Sequence, residues 1–542
     1  MKVKLTIGLA ALVCASVVPS AAIALTPGTT ITVNTTADGT GGPDCTLRDA
    51  ITAANSNTPV GGCNAGHGAD TIAFSVSGQV NLGSTLPAVS RDLTIDGSRQ
   101  SIIVSGQGTV RVLEVGAGAS LTLHKLTVAD GVAANAGGIL NSGTLLVTNS
   151  TLSGNRTENF GNGGGIWNTA GGTLIVRRSS FSGNGGDVTL GAGIYNDGRA
   201  LVRKSSFSGN NADHGGGIFN AAGGTLIIGG STFAGNGAGE GGGINNRGPL
   251  SIDNSAFSGN YASEGAGGAI SNRDGSTVTV ANSSFSGNGA PQGGAISSGA
   301  TLIVEHCTFS SNGADEGGAI FILGTLKVVD SSFWGNEARS GGGIDMIGSG
   351  TIRRSTFAGN NAEDGGAGIA NGVGTLAVSN STFAGNTTMI PFGGGPGGAI
   401  ANSGTLTLKS STLFGNSATD GGGIWNVGIA TFKNTIVAGS SQGGNCSGVL
   451  DASSTSNMSD DPTCGPGFTQ VGLADLSLGP LGDNGGPTQT IALGPGSVAI
   501  DAGDNAAAAG LITDQRGPGY PRIVNGRVDV GAFEVQRRGN AG

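Results

Sequence analysis

Charged residues are scarce in this sequence of 542 residues. Asp, Glu, Lys and Arg together make up 11% of the chain, and the formal net charge at pH 7 is −9. Proteins that bind nucleic acids use clustered lysines and arginines, which a thinly spread acidic balance does not supply. The composition therefore argues against nucleic acid as a partner and fits a solvated surface protein.

Long apolar runs are absent beyond the start of the chain. Lys2 and Lys4 precede the apolar stretch Leu5 to Val18, and Ala22-Ile23-Ala24 offers a small-x-small cleavage site. This order is typical of a secretory signal peptide, so we expect residues 1–24 to be removed. No other segment has the length and apolarity of a membrane span. We therefore expect a secreted or cell-surface protein, associated with the outer membrane, whose mature chain has no transmembrane segment.

Cysteine is also rare, but four of the six cysteines form two close pairs. Cys45 with Cys63 and Cys446 with Cys464 flank the central region. Because an exported chain meets an oxidising compartment, we predict two disulfides, each contributing about 3 kcal/mol. Cys307 stands in a column of mainly serine residues, where we expect a buried thiol and no nucleophile.

Glycine, in contrast, is abundant, with 107 residues that recur in a pattern. A unit close to GGGIxN, GTLxV and SxFSGNxA repeats from about Gly137 to Gly439. Its first anchor is an isoleucine, at Ile139, Ile166, Ile194, Ile218, Ile244, Ile270, Ile296, Ile320, Ile344, Ile369, Ile400 and Ile424. Its second anchor is mostly phenylalanine, at Leu152, Phe181, Phe207, Phe233, Phe257, Phe285, Phe309, Phe333, Phe357, Phe383 and Leu413. Each unit has three short segments with strand alternation and no helical period.

Three strands of this size cannot bury an apolar face alone, but equivalent strands of successive units can stack into one core. The repeat therefore predicts an all-β fold, a right-handed parallel β-helix with three sheets and a rise of about 4.8 Å per turn. Its ends need caps, because open strand edges aggregate. We expect a helix over Thr46 to Asn57 to cover the first turn and residues 471 to 535 to close the last.

One asparagine follows each second anchor. We expect these residues to adopt the left-handed conformation of the turn and their amides to hydrogen-bond along the stack. The column comprises Asn155, Asn184, Asn210, Asn236, Asn260, Asn288, Asn312, Asn336, Asn360, Asn386 and Asn416.

Three motifs resemble known families. The run Cys45-Thr46-Leu47-Arg48-Asp49-Ala50-Ile51 resembles the CSLREA-type N-terminal domain of bacterial surface β-helices. The GGAI and FxxN motifs, as at Gly267 to Ile270 and Phe181 to Asn184, resemble the repeats of polymorphic outer membrane proteins. The segments Leu481 to Thr490 and Asp529 to Glu534 are similar to a choice-of-anchor Q domain. These resemblances imply a pectin-lyase-like solenoid at the cell surface or secreted, with a role in adhesion.

The sequence thus divides into six parts. They are a signal peptide over 1–24, a CSLREA-type cap with the first turns over 25–120, the repeat region over 121–440, a disulfide-closed loop over 441–470, a choice-of-anchor Q-like cap over 471–535 and a tail over 536–542.

Aromatic residues make up 4% of the chain, yet three follow successive isoleucines. Trp167, Tyr195 and Phe219 are expected to point outward on neighbouring turns. They form either a self-stacking ladder that shields the sheet or a platform for a sugar ring or apolar partner. In the second case, Arg178 and Lys204 on the same turns offer charge to an acidic glycan.

Acidic residues gather in two places. Asp501, Asp504 and Asp514 lie near several arginines, so we expect acid–arginine pairing in the cap, with a bound cation as the alternative. A second set precedes the GGxI strands, where it keeps the edge solvated or binds Ca²⁺ weakly. This set comprises Asp213, Glu240, Glu264, Asp315, Glu316, Glu363, Asp364 and Asp420. No other cofactor is indicated.

The regular columns favour a scaffold with adhesin-like binding of a cell-surface glycan or protein receptor. The alternative is a polysaccharide lyase or glycoside hydrolase, which needs unlike polar residues gathered in a groove. Gly66-His67-Gly68 and Asp460-Asp461 are the residues nearest to such motifs, and we expect neither to be catalytic. Outward hydroxyls, as at Thr151 and Ser180, leave an ice-binding face as a third hypothesis. The sequence does not indicate the oligomeric state or the anchoring route.

Overall fold

The computed structural model of the protein describes residues 27–158, 160–186, 189–273, 275–388 and 395–536. The predicted signal peptide and residues 537–542 of the predicted tail lie outside the described residues. The chain winds as a right-handed parallel β-helix, which confirms the predicted fold. One turn of the helix is called a rung below. In the described part of the chain, no helix is long and apolar enough to cross a membrane.

The first face, the Leu/Val sheet, has 16 strands. Its GTLxV segments alternate buried Leu or Val with partly exposed residues, as the period of two requires. The strands are Pro27–Val33, Ala69–Phe74, Leu93–Asp96, Ser120–His124, Thr144–Thr148, Thr173–Arg177, Arg199–Arg203, Thr225–Gly229, Leu250–Asp253, Val278–Ala281, Thr301–Glu305, Thr325–Val329, Ser349–Arg353, Thr375–Ser379, Thr405–Lys409 and Ile429–Lys433.

The second face, the Ile sheet, contains the GGxI segments in 14 strands. All twelve anchor isoleucines are 0% exposed, so the predicted inward column is confirmed. The strands are Leu113–Val115, Ile139–Asn141, Ile166–Asn168, Ile194–Asn196, Ile218–Asn220, Ile244–Asn246, Ile270–Asn272, Ile296–Ser298, Ile320–Ile322, Ile344–Met346, Ile369–Asn371, Ile400–Asn402, Ile424–Asn426 and Cys446–Gly448.

The third face, the Phe sheet, holds the second anchor. The nine phenylalanines from Phe181 to Phe383 are 0% exposed and stack with ring centroids 4.5 to 4.9 Å apart. The strands are Gly78–Asn81, Ile102–Ser105, Thr127–Ala129, Thr151–Ser153, Ser180–Ser182, Ser206–Ser208, Thr232–Ala234, Ala256–Ser258, Ser284–Ser286, Thr308–Ser310, Ser332–Trp334, Thr356–Ala358, Thr382–Ala384, Thr412–Phe414, Ile436–Ala438, Asn457–Ser459 and Phe468–Gln470.

A fourth face, the Ala sheet, corrects the expectation of three sheets. Its segments are short and rich in Gly, Ala, Asp and Glu, which have low strand propensity. The local sequence therefore predicts turns and not strands. Stacking of whole rungs orders them, and most of their alanines face inward. The eight strands are Asn211–His214, Gly237–Glu240, Tyr261–Ala262, Gly289–Gln292, Gly313–Glu316, Glu337–Ser340, Asn361–Gly365 and Thr387–Thr388, preceded by the pair Val132–Ala133 and Arg156–Thr157.

The predicted asparagine ladder forms between the Phe and Ala sheets. Each side-chain amide donates to the next asparagine oxygen, for example Asn288 to Asn312 at 2.9 Å. The left-handed conformation, however, belongs to the preceding residue, usually glycine, such as Gly287 with φ of 61°. The prediction that the asparagines adopt the left-handed conformation is therefore wrong. Their amides are needed in the core, and a glycine, which has no Cβ, adopts positive φ at a lower energetic cost.

Both ends carry the predicted disulfides, Cys45–Cys63 and Cys446–Cys464. The N-terminal helix spans Leu47–Ser56, Thr46 caps it by accepting from the Asp49 N–H, and its apolar face packs on the first strands. Two short helical turns, Pro462–Cys464 and Leu473–Leu476, follow the last rungs.

The segment from 471 to 535 runs back along the outer face of the Phe sheet. Thr356, Thr382 and Thr412 are fully or almost fully buried beneath it and hydrogen-bond to Gln489, Gln515 and Ala532. Its two described strands, Leu478–Gly482 and Thr490–Leu493, pair antiparallel with each other. The contacts that the structure shows for this segment are therefore largely lateral, along the side of the last rungs.

Candidate functional site

The predicted aromatic ladder lies on the outer face of the Ile sheet. Trp167, Tyr195 and Phe219 are register partners on successive strands and alternate with the buried isoleucines. Trp167 and Tyr195 meet edge to face at 6.1 Å, and Tyr195 and Phe219 stack in parallel at 5.2 Å between ring centroids. The three rings therefore contact one another, as the self-stacking alternative describes.

The ladder leaves little aromatic surface open. Phe219 is only 3% exposed, and the Arg247 guanidinium lies 5.2 Å from its ring centroid. Since Tyr195 precedes and Arg247 follows Phe219 along the stack, both faces of that ring are occupied. Burial raises the pKa of the Tyr195 phenol, with Asp197 adding to the effect. A ligand would meet mainly the edges of Trp167 and Tyr195.

Arg178 and Lys204 lie at a different corner of the rung. They sit in the turn between the Leu/Val and Phe sheets, on the rim of a depression of about 410 Å³ that Thr151, Ser180 and Ser206 also line. No residue of the aromatic ladder lines this depression. The structure thus separates the two halves of the site that the sequence suggested, because rung position alone does not tell which corner a side chain occupies.

Two further cations adjoin Arg178 and Lys204. Arg177 and Arg203 end neighbouring strands in direct register, so the four side chains form a basic patch on two successive rungs. All four are exposed, and none takes part in an ion pair that the structure shows among the described residues. Arg177 and Arg203 are not among the predicted site residues, although the parallel endings VRR and VRK indicate them.

The backbone of the basic patch is strained. Arg178 and Lys204 have φ of 47° and 50°, whereas the neighbouring rungs place Asn149 and Gly230 in the same left-handed position. That conformation costs roughly 1–2 kcal/mol for residues other than Gly and, at times, Asn or Asp. The same corner is left-handed on most other rungs, including those of Lys125, His306 and Arg354, so this conformation belongs to the turn and does not by itself mark a functional site.

The depression continues along the solenoid. A second one, of about 440 Å³, is lined by Ser77, Arg99 and Lys125 and shares Asn149 and Thr151 with the first. Together they form one open trough at the junction of the Leu/Val and Phe sheets, called the corner groove below.

The C-terminal charges form a buried network. Arg516 donates to Asp514 at 2.6 Å, between the rings of Tyr520 and Phe533, which lie 4.0 and 3.8 Å from its guanidinium carbon. Arg522 is 0% exposed, donates to two backbone carbonyls and lies 3.9 Å from Glu534. This is the acid–arginine pairing expected for a segment with a small apolar core.

The three aspartates of this network that were candidate cation ligands each make their own hydrogen bonds. Asp514 accepts from Arg516 and from the Glu534 N–H, Asp504 accepts from the Ala506 N–H, and the Asp501 N–H donates to Asp529. In the Ala sheet, Glu240 contacts His214 and Arg273, and Glu316 accepts from Gln292. Throughout the described ranges, no three His, Cys, Asp or Glu side chains form a group suited to a metal ion.

Burial raises the pKa of Glu534 to about 8, and it also raises the pKa of Asp529. Because the folded state holds these protons more tightly than the unfolded chain, stability is greatest below the unfolded value of 4.5 and is lost as pH rises towards about 8. We expect the thermal unfolding midpoint of the C-terminal segment, measured by calorimetry, to fall between pH 5 and pH 8. Glu534→Gln should flatten this slope, and Glu337→Gln, an exposed control, should not. Equal slopes in all three proteins would contradict the assignment.

The remaining sequence candidates have structural contacts. Asp460 accepts from the Gly439 N–H, and Asp461 accepts from the Asn445 N–H. The backbone N–H of His67 donates to Asp70. Cys307 is buried, and burial raises its thiol pKa to about 11, which disfavours the nucleophilic thiolate.

The architecture is that of a β-helix repeat protein. A family model described as a right-handed β-helix region matches residues 190–362. Among solved structures, a mannuronic acid specific polysaccharide family 6 lyase from human gut microbiota is similar, with 10% identity over 82% of this chain and 91% of that chain and a TM-score of 0.28. No curated protein matches the sequence.

Proposed function

We propose that this protein is an exported or cell-surface β-helix scaffold that binds an acidic surface glycan through the basic patch, in the manner of an adhesin. The observation that carries the proposal is the patch itself. Four exposed cations stand on two neighbouring rungs of a chain whose net charge is −9. Clustered charge of one sign attracts ligands of the other, and like charges kept together without counter-ions cost stability.

Several features support a place outside the cell. The first 24 residues have the pattern of a signal peptide, and the structure contains two disulfides, which persist in oxidising compartments. The resemblance of the ends to CSLREA-type and choice-of-anchor Q domains, and of the repeats to polymorphic outer membrane proteins, points to the same location and to adhesion.

The central test replaces the patch with residues that the chain itself uses on the preceding rung, Thr148 and Asn149. The variant Arg177→Thr, Arg178→Asn, Arg203→Thr and Lys204→Asn should lose about tenfold or more of its affinity for immobilised acidic polysaccharide. Binding by the unaltered protein should weaken with added salt, because exposed charges are screened. Thermal stability should stay the same or rise, since strain and like-charge repulsion are relieved.

A matched variant carries the same change in charge elsewhere. In it, Arg339, Arg353, Lys409 and Lys433 are replaced by serine, and we expect binding to persist. Equal losses in both variants would show a general charge effect and contradict the proposal. Binding to cells that polysaccharide cannot compete away would instead identify a protein receptor.

Two further readouts separate the alternatives. New reducing ends or unsaturated products in the same incubations would support a glycoside hydrolase or a lyase. Replacing Trp167, Tyr195 and Phe219 together by serine should lower stability through lost aromatic contacts but leave retention intact. Loss of retention with the fold preserved would move the binding site to the aromatic ladder.

A further inference from the structure

The corner groove runs along the solenoid axis. Because Asn149 and Thr151 line both of its depressions, the groove is continuous from the rung of Ser77 to that of Gly230. The six rungs that follow Ser77 are those of Arg99, Lys125, Asn149, Arg178, Lys204 and Gly230. With a rise of about 4.8 Å per rung, the first and the sixth lie about 24 Å apart. We propose that the groove binds an unbranched acidic polysaccharide parallel to the axis, with one anionic sugar residue per rung; this rests on the proposed function.

Charge in the groove repeats with the rungs. Four of the six rungs present a cation, namely those of Arg99, Lys125, Arg178 and Lys204. A single anion needs one such site, whereas a row of sites along one line fits a row of anions.

Hydroxyl groups repeat beside the cations. On five of the six rungs, a Ser or Thr begins the strand of the Phe sheet, and these residues stand in direct register; on the rung of Arg99, Ile103 takes the register position of Thr127. Hydroxyls both donate and accept, so they suit the hydroxyls of a sugar ring. The row consists of Thr127, Thr151, Ser180, Ser206 and Thr232.

The rise from one rung to the next determines which kind of ligand fits the groove. In an extended chain of 1,4-linked sugars, each residue advances by a distance similar to the rise of one rung, so successive residues meet equivalent groups. The backbone hydrogen bonds of the sheets fix this spacing before binding, and each further residue adds contacts without a new association step. A branched or compact anion cannot use more than one or two rungs.

The groove has a defined upper end. Beyond Gly230 the sign of the charge changes, because Asp253 stands one rung above Gly229 in the register that Arg203 occupies one rung below. Higher still, the C-terminal segment covers the Phe sheet over Thr356, Thr382 and Thr412. The site therefore holds about five or six sugar residues, from the rung of Arg99 to that of Gly230.

Oligogalacturonides of two to ten residues test the arrangement by isothermal titration calorimetry with the full chain. Affinity should rise by about tenfold or more from trimer to hexamer and then level off. The variant Arg99→Asn with Lys125→Asn should bring the hexamer towards the trimer and leave the trimer unchanged. Asparagine is chosen because Asn149 occupies the same corner, and Arg353→Asn with Lys409→Asn provides the control of equal charge.

The outcomes are distinguishable. Absence of binding to any acidic oligosaccharide would overturn the proposed function itself. Binding that is the same for trimer and hexamer, or indifferent to Arg99 and Lys125, would overturn the axial arrangement while the basic patch remains the site. A sulfated series of the same lengths is run beside the carboxylated one, and a length-dependent rise in that series alone would support the groove with sulfate as the anion.

Discussion

Replacing Phe309 with alanine is expected to lower the free energy of unfolding by about 3–5 kcal/mol. The ring is 0% exposed and stacks between Phe285 and Phe333, with centroid distances of 4.8 Å on both sides. The substitution removes apolar burial, leaves a cavity that the hydrogen-bonded rungs cannot close, and breaks two aromatic contacts. Urea denaturation followed by circular dichroism measures the loss.

Two variants of the same strand serve as controls. Ser310→Ala changes a partly exposed side chain and should cost little. Phe309→Leu should cost much less than alanine, because Leu152 and Leu413 occupy the same column at the ends of the repeat. Comparable losses from Phe309→Ala and Ser310→Ala would contradict the assignment of Phe309 to the inward face and Ser310 to the outward face.

Replacing Asn312 with alanine is expected to cost at least about 3 kcal/mol, although it removes only a small side chain. The amide oxygen accepts from the backbone and side-chain nitrogens of Asn288 at 3.1 and 2.9 Å. The amide nitrogen donates to the Phe285 carbonyl and to Asn336 at 3.1 and 2.9 Å. Asn312 is 1% exposed, so each group left behind is buried without its partner.

Asn81→Ala provides the comparison, because Asn81 is exposed and its side-chain oxygen accepts from the exposed side chain of Gln79. Its loss should lie within about 0.5 kcal/mol of zero. The same denaturation experiment applies to both variants. A small effect at Asn312, similar to that at Asn81, would show that the asparagine ladder does not hold the rungs together.

Much of the fold was predictable because the same pattern of buried residues recurs in every repeat unit. A single Ile or Phe is ambiguous, but residues equivalent to Ile244 and Phe257 recur with their neighbours in unit after unit, and only stacking of equivalent strands buries them all. The helix at Leu47–Ser56 was predictable from local pattern and cap, and the disulfides from cysteine pairing and export.

The candidate site was predictable only in part. The sequence indicates Arg178 and Lys204 but predicts that they share a site with Trp167, whereas the structure puts them at another corner of the rung. Position within a repeat gives the rung of a side chain, yet the corner depends on how each turn bends. The partners Arg177 and Arg203 became visible once the register of neighbouring strands was known.

By itself the sequence determined the parallel β-helix, its inward columns and its stapled ends, because these follow from periodicity and burial along one chain. The tertiary structure decided what lies between repeats. The Ala segments, which have low strand propensity, form a sheet, and residues such as Gly287 adopt the left-handed conformation of the turns. The segment after 471 packs along the Phe sheet, and Lys125 and Arg178 line one groove. These features depend on contacts between residues of different rungs, which local propensity does not encode.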